Sequence, residues 1–112
     1  MILSGTDTID KLEEIVMLAL VRLEPNAYGV VIRDLLSEKA DRNYSFATVY
    51  KVLDRLERKG FVSSFLGEPT AERGGRAKRY YKVEARGIEA LNADRKAIER
   101  LRFGISAPGL AV

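Results

Sequence analysis

Hydroxyl-bearing and cationic side chains recur on one side of the stretch from Ser45 to Gly60, SFATVYKVLDRLERKG. A helix brings residues three, four and seven apart onto the same face. The residues that share this face are Ala47, Thr48, Lys51, Arg55 and Arg58. A row of ammonium and guanidinium groups suits a polyanion, and nucleic acid is the typical partner for such a row. On the opposite side, Phe46, Val49, Val52, Leu53 and Leu56 predict a face directed at a core.

A second group of cations surrounds the connection GEPTAERGGRAK, which contains the pair Gly74 and Gly75. Its members are Arg73, Arg76, Lys78 and Arg79. A flexible basic loop at a hairpin tip can follow a phosphate backbone, although a solvated hairpin tip has the same composition. Residues 42–82 carry a charge of +6 within a chain whose net charge is +3. This asymmetry is typical of a nucleic-acid-binding face, and also of ordinary solvated surface.

The composition argues against catalysis and against metal or disulfide chemistry. The chain has no histidine and no cysteine, so it lacks the commonest general base, the commonest metal ligands and any thiol. Asp10, Glu13 and Glu14 lie at the start of a predicted helix, where the helix dipole accounts for them. Gly74 and Gly75 lack the lysine and hydroxyl of a phosphate-binding loop. We therefore predict that the protein is not an enzyme and has no cofactor and no metal site.

The 112 residues are expected to form one folded unit. No apolar run approaches the roughly 20 residues of a membrane span, and the first residues lack the layout of a signal peptide. A cytoplasmic protein without membrane contact is therefore expected.

Periodicity and capping residues predict four helices and a small β-hairpin. The first helix is expected to start with Thr8 as its N-cap and to end before Pro25. The third is expected to have Ser45 as its N-cap and Gly60 at its C-terminal end. The remaining predicted elements are a second helix over 28–40, strands within 61–66 and 80–83, and a last helix over 85–102.

The first and last helices carry apolar residues that one small domain would not fully cover. The first helix is apolar on more than one side, and the last has a narrow apolar stripe. We expect a second copy of the chain to cover them, with the dimer interface formed by Leu12, Val16, Leu91, Ile98 and Leu101. The alternative for the first helix is a central core position in a monomer.

Four motifs resemble the PadR family of bacterial transcriptional regulators: LEEIVMLALV at 12–21, AYGVVIRDLL at 27–36, TVYKVLDRLERKGFV at 48–62 and GGRAKRYYKVEARGIEAL at 74–91. They cover nearly the whole chain in the family's order. The resemblance implies a winged helix-turn-helix of three helices and a two-stranded wing over 1–84, a C-terminal dimerisation helix over 85–103 and a flexible tail over 104–112. Phe46 and Ala47, at the start of the third helix, depart from the family pattern, as does Glu84.

The resemblance also implies a homodimer that binds double-stranded DNA at a roughly palindromic operator, as a repressor that a small apolar or aromatic effector can release. The third helix would enter the major groove, with half-sites about one helical turn apart. Thr48 and Lys51 are the candidates for base edges, and Ser45, Tyr50 and Arg55 for phosphates, although Tyr50 is equally compatible with half-buried packing. Arg73, Arg76, Lys78 and Arg79 would hold phosphates or reach a minor groove. The alternative is a winged-helix module for protein association that does not read DNA.

Overall fold

The computed structural model describes residues 8–68 and 77–111, which form four helices and one two-stranded antiparallel sheet. In chain order the elements are α1 (Lys11–Leu23), α2 (Gly29–Ala40), α3 (Phe46–Arg58), β1 (Val62–Leu66), β2 (Arg79–Val83) and α4 (Ala85–Arg102). The predicted fold class, mainly α with a small β-hairpin, is confirmed. The bounds of α4 are those that the sequence predicts.

The start of α1 differs from the prediction. Its N-cap is Asp10, whose carboxylate accepts a hydrogen bond from the backbone N–H of Glu13. The side chain of Glu13 in turn accepts from the backbone N–H of Asp10, which completes a capping box. The prediction of Thr8 as N-cap is wrong because Asp10 has a glutamate three residues further on, and this pair satisfies two backbone N–H groups at once.

Both ends of α3 follow the sequence prediction. The hydroxyl of Ser45 accepts from the backbone N–H of Thr48 and caps the first turn. At the other end Gly60 has φ of 79°, a left-handed conformation that favours glycine. The N–H of Phe61 then donates to the carbonyl of Leu56 at 3.0 Å, the long hydrogen bond of a Schellman motif. The helix α3 is therefore capped at both ends by residues adjacent to it in the chain.

The core lies between α1, α2, α3 and the hairpin. Its largest enclosed apolar side chains include Met17, Leu20, Ile32, Leu53, Leu56 and Phe61. Complete burial of such a side chain contributes about 1.5–3 kcal/mol. Val16 also has no exposed surface within one protomer, because its side chain packs into the core of its own chain. The contact with a second subunit predicted for it stays a prediction. Leu12 is half-buried against the same core.

The hairpin packs its base against the start of α2. Residues of β1 and β2 pair in antiparallel register from Val62 opposite Val83 to Leu66 opposite Arg79. The backbone N–H of Tyr81 donates to the carbonyl of Ala27 at 2.9 Å, which ties β2 to the segment before α2. The two predicted strands are confirmed, and this hydrogen bond fixes the base of the wing on the helical core.

α4 packs tightly at its start and projects at its end. A side chain at Gly87 would overlap the carbonyl oxygen of Phe61, so glycine permits the close approach of α4 to the hairpin base. Leu91 is half-buried against the core. Ile98 and Leu101, further along, are 42% and 72% exposed. The second half of α4 therefore leaves an apolar surface uncovered within one protomer.

Beyond α4, the chain turns back on the helix end. The guanidinium of Arg102 donates to the carbonyl of Ala111 at 2.8 Å. The flexibility predicted for residues 104–112 and the division of the chain after residue 84 stay predictions. Within residues 8–68 and 77–111, no helix combines the length and apolar composition that a membrane span requires.

Candidate nucleic-acid interface

The two faces of α3 differ as the sequence predicts. Val49, Val52, Leu53 and Leu56 are buried, whereas Ala47, Lys51, Asp54 and Arg58 are exposed. The apolar face fixes the helix on the core, so the polar face is presented outward. Phe46 is an exception to the predicted core face, because its side chain is only half-buried and lies beside Arg33 and Tyr50.

The first turn of α3 carries two hydroxyl groups that bond to each other. The Ser45 hydroxyl donates to the Thr48 hydroxyl at 3.0 Å while it accepts from the Thr48 backbone N–H at 3.1 Å. The hydroxyl proton of Ser45 is therefore directed at the Thr48 hydroxyl. A lone pair of the Ser45 oxygen accepts the capping hydrogen bond from the Thr48 backbone N–H. Thr48 keeps its own hydroxyl proton for an outside acceptor. This geometry leaves Thr48 better placed than Ser45 to donate to a ligand.

Lys51 is the cation of the N-terminal half of α3. Its side chain is exposed, and within the described ranges it makes no hydrogen bond or ion pair. Arg58, near the other end, pairs with Asp54 at 3.2 Å, although both side chains are largely exposed. An exposed pair of this kind contributes about 0–1 kcal/mol and opens easily. Lys51 is thus the side chain of this face that an anionic partner would meet unneutralised.

Tyr50 combines packing with exposure. Its ring lies parallel to that of Phe46, with centroids 6.3 Å apart, and 45% of the residue is exposed. A side chain at Gly29 would overlap the Tyr50 hydroxyl, so this glycine makes room for the tyrosine. The half-buried packing that the sequence allows is present, and a phosphate contact by the hydroxyl stays a prediction.

Arg33 of α2 lies beside this surface, although the sequence does not predict it as a DNA-binding residue. The guanidinium carbon lies 3.9 Å from the centroid of the Phe46 ring, in cation–π geometry. A terminal nitrogen of Arg33 also lies 3.7 Å from a carboxylate oxygen of Asp34. The partner of Phe46 was not predictable, because Arg33 lies on another helix.

Arg55, in the C-terminal half of α3, and Lys59, its C-cap residue, face α1. The Nε of Arg55 lies 3.1 Å from a carboxylate oxygen of Glu13, and its terminal nitrogen lies 3.2 Å from Asp10. The Nζ of Lys59 lies 2.8 Å from Glu13 and also donates to the carbonyl of Thr8. The structure therefore places Arg55 in an internal ion pair, and the phosphate contact predicted for it stays untested.

Glu13 is the buried member of this cluster, with 1% of the residue exposed. Burial alone would raise the pKa of its carboxyl group, since low polarity disfavours the charge. The hydrogen bonds donated by Lys59, by the Asp10 backbone and by Arg55 outweigh burial and hold the pKa below its ordinary value. Glu13 is therefore a carboxylate at neutral pH, compensated by two cations from α3.

The end of the wing nearest the connecting loop contributes two more exposed cations. The Nζ of Lys78 lies 4.5 Å from the centroid of the Tyr28 ring. Arg79 donates to the hydroxyl of Ser64 at 3.0 Å, and Ser64 donates to Glu57 of α3 at 2.7 Å. This chain of hydrogen bonds places Arg79 beside α3. The other predicted wing residues, Arg73 and Arg76, lie outside the described residues.

Two further observations bear on ligands. A groove of about 420 Å³ lies between α1 and α2, with apolar side chains such as Ile15, Leu18 and Leu35 in its lining and with Arg22 and Lys39 at its edge. In the part of the chain that the structure describes, no group of acidic residues could hold a metal ion. The exposed face of α3 and the neighbouring cations of the wing carry cationic, hydroxyl and aromatic groups, which can bind an anion.

Comparison with known proteins agrees with this geometry. The sequence profile of the transcriptional regulator PadR-like family matches residues 17–93. A solved PadR-like transcription factor from Bacteroides fragilis is 28% identical, aligns over 80% of this chain and 82% of its own, and has a TM-score of 0.68. A PadR family regulator from Eggerthella lenta is 25% identical, with coverages of 81% and 79% and a TM-score of 0.63.

A more distant solved structure contains nucleic acid. Bacillus subtilis PadR in complex with operator DNA is 16% identical, and the alignment covers 91% of this chain but 52% of that protein, with a TM-score of 0.59. At this identity the similarity concerns the fold. No curated protein has a significant match to the sequence.

Proposed function

This chain belongs to the PadR-like family of transcriptional regulators, and on that premise we propose that it is a homodimeric repressor that binds a roughly palindromic operator. PadR-like regulators bind DNA, and the winged helix-turn-helix found here is the family's fold. Because family members are regulators, the chain is not an enzyme, as its composition predicts.

The observation that carries the proposal is the outward face of α3. Lys51 stands exposed there without an internal partner among the described residues, next to Thr48, whose hydroxyl proton is available. Side chains of a recognition helix that contact base edges lie in its N-terminal part, which is where these two residues are. We therefore assign base-edge contacts to Thr48 and Lys51.

Phosphate contacts would flank this pair. Tyr50 and the wing cations Lys78 and Arg79 are exposed, and the hydrogen bonds through Ser64 hold Arg79 beside α3. Arg73 and Arg76 complete the wing in this proposal on their sequence alone. Ser45 contributes mainly as the cap that presents the first turn of α3.

Dimerisation would use the surfaces that one protomer leaves open. On α4 these are Ile98, Leu101 and the following Phe103, which is 89% exposed. On α1 they are Leu18 and Val21, 52% and 45% exposed. Partly buried Leu12 and Leu91 lie on the same two helices. A closed two-fold dimer would cover these apolar side chains and give a palindromic operator its symmetry.

An effector would need an apolar cavity. The groove between α1 and α2 has this character, and its cationic edge would favour an apolar or aromatic molecule that carries an anionic group. Such a ligand would change the operator complex only if it bound one dimer geometry more tightly than the other.

Selection of bound fragments from a random DNA pool tests the proposal. A two-fold symmetric consensus with half-sites about one helical turn apart is the expected result. Failure to enrich any sequence at moderate salt would contradict it.

The protein-association alternative has one feature in its favour, the exposed Phe65 and Leu66 of β1, which are 57% and 60% exposed. Binding to genomic DNA fragments at physiological salt separates the two functions. An association module would show no saturable binding under those conditions.

A further inference from the structure

Every acceptor position of the Glu13 carboxylate is engaged. One oxygen accepts from the Asp10 backbone N–H at 2.9 Å and from Lys59 Nζ at 3.0 Å. The other lies 3.1 Å from Arg55 Nε and 2.8 Å from Lys59 Nζ. A carboxylate offers about four lone-pair sites, so this side chain has no capacity for a further donor.

These contacts join two helices that are far apart in sequence. Glu13 lies in the first turn of α1, whereas Arg55 lies in the last turn of α3 and Lys59, four residues further on, is the C-cap of that helix. Two outer contacts, from Arg55 to Asp10 and from Lys59 to the carbonyl of Thr8, complete the set. We call Glu13, Arg55, Lys59 and Asp10 the α1–α3 clamp.

The clamp constrains the orientation of α3 relative to α1 more specifically than apolar packing does. Burial of apolar surface is not directional, so by itself it does not determine which polar groups of the two helices meet. If the cations move away from a buried carboxylate, the folded state is strongly destabilised, because an unpaired buried charge is costly. The clamp therefore permits one angle of α3 on α1.

We propose that Glu13 is a positioning residue for DNA recognition: by holding Arg55 and Lys59 it fixes the angle of α3 on α1, and so sets the half-site spacing that the dimer accepts. The inference rests on the proposed function, since it requires that α3 reads DNA and that α1 carries part of the dimer surface. In such a dimer, the separation of the two reading helices depends on how each α3 sits on its α1.

The test compares operators whose half-site spacing differs from the selected one by one or two base pairs. For the wild type, affinity falls steeply on either side of the selected spacing. In Glu13→Gln and Lys59→Met, the discrimination between adjacent spacings falls by about threefold to tenfold, the range expected for residues coupled through one network. Glu24→Gln is the matched control, since it weakens an exposed 4.0 Å pair with Lys82 away from α3, and its spacing profile stays that of the wild type.

Several outcomes would count against the inference. Unchanged discrimination in folded Glu13→Gln and Lys59→Met overturns it while leaving DNA binding intact. If Glu13→Gln fails to fold, Lys59→Met decides, because Glu13 keeps its contacts to Arg55 and to the Asp10 backbone in that variant. If the wild type enriches no DNA sequence, the proposed function itself fails and the inference falls with it.

Arg55 supplies an independent measurement, because the sequence predicts a phosphate contact and the clamp predicts a positioning role. Loss of one phosphate contact lowers the slope of log affinity against log salt by about one. For Arg55→Gln we expect an unchanged slope and a flattened spacing profile. A slope lower by about one, with an unchanged spacing profile, would show that Arg55 contacts a phosphate and does not position α3.

Discussion

Lys51 lies in the N-terminal half of α3, and Lys59 is the C-cap residue of the same helix. The two lysines have the same side chain but differ in exposure and in their contacts. Lys51 is exposed and has no internal partner among the described residues, whereas the side chain of Lys59 is 21% exposed and bonds to Glu13 and to the carbonyl of Thr8. The N-terminal half of α3 therefore presents Lys51 to solvent, whereas Arg55 and Lys59 near the other end hold the helix against α1. A row of basic residues on a helix therefore need not form a single binding surface. The neighbouring elements determine which of the cations are already paired and which can still bind a ligand.

Removal of the buried carboxylate should give the largest effect on stability. We expect Glu13→Ala to lower the free energy of unfolding by about 3 kcal/mol, the lower end of the range for breaking a buried ion pair, since Arg55 is partly exposed and can rehydrate. Urea denaturation followed by circular dichroism measures this. Glu24→Gln serves again as the control and should change the free energy by less than about 0.5 kcal/mol.

The same carboxylate predicts how stability depends on pH. Because the pKa of Glu13 is lower in the folded chain than its ordinary value of 4.5, its stabilising contribution is fully present above that pH. The contribution is lost as the pH falls through the folded-state pKa. Urea melts between neutral and acidic pH should show a decline that is shallower in Glu13→Gln. Parallel declines in the two proteins would show that other groups cause the acid sensitivity.

Replacement of the exposed cation should separate binding from folding. We expect Lys51→Ala to weaken operator binding by about 1–2 kcal/mol, with its free energy of unfolding within about 0.5 kcal/mol of the wild type. Fluorescence anisotropy with a labelled operator and a urea melt measure the two quantities. An equal loss of stability would mean that Lys51 also has a structural role, and the contrast with Lys59 would then disappear.

The cap of α3 should give the smallest effect. Ser45→Ala removes the acceptor for the Thr48 backbone N–H, and we expect a loss of about 1 kcal/mol in the free energy of unfolding. Ser45→Asn can restore this acceptor, so its free energy of unfolding should return toward that of the wild type. If Ser45→Ala instead leaves stability unchanged and lowers operator affinity with an unchanged salt dependence, Ser45 is a phosphate ligand, as the sequence predicts.

Local patterns predicted most of the fold because they depend on neighbours in the chain. The bounds of α4, the caps of α3 and the two strands follow from residues within a few positions of one another. The sequence does not identify the N-cap of α1, because both Thr8 and Asp10 can serve as caps. Only the pairing of Asp10 with Glu13, seen in the structure, distinguishes between them.

The sequence alone indicates that α3 has an apolar and a cationic face and that a basic hairpin follows it. It also shows that the chain has no histidine and no cysteine, two residues common in catalytic sites. The tertiary structure decided which cations are available, that Val16 is enclosed and that Arg33 lies on Phe46. The physical reason is distance along the chain. Glu13 and Lys59 are 46 residues apart, so no helical period relates them, and their ion pair exists only because core packing brings α1 against α3.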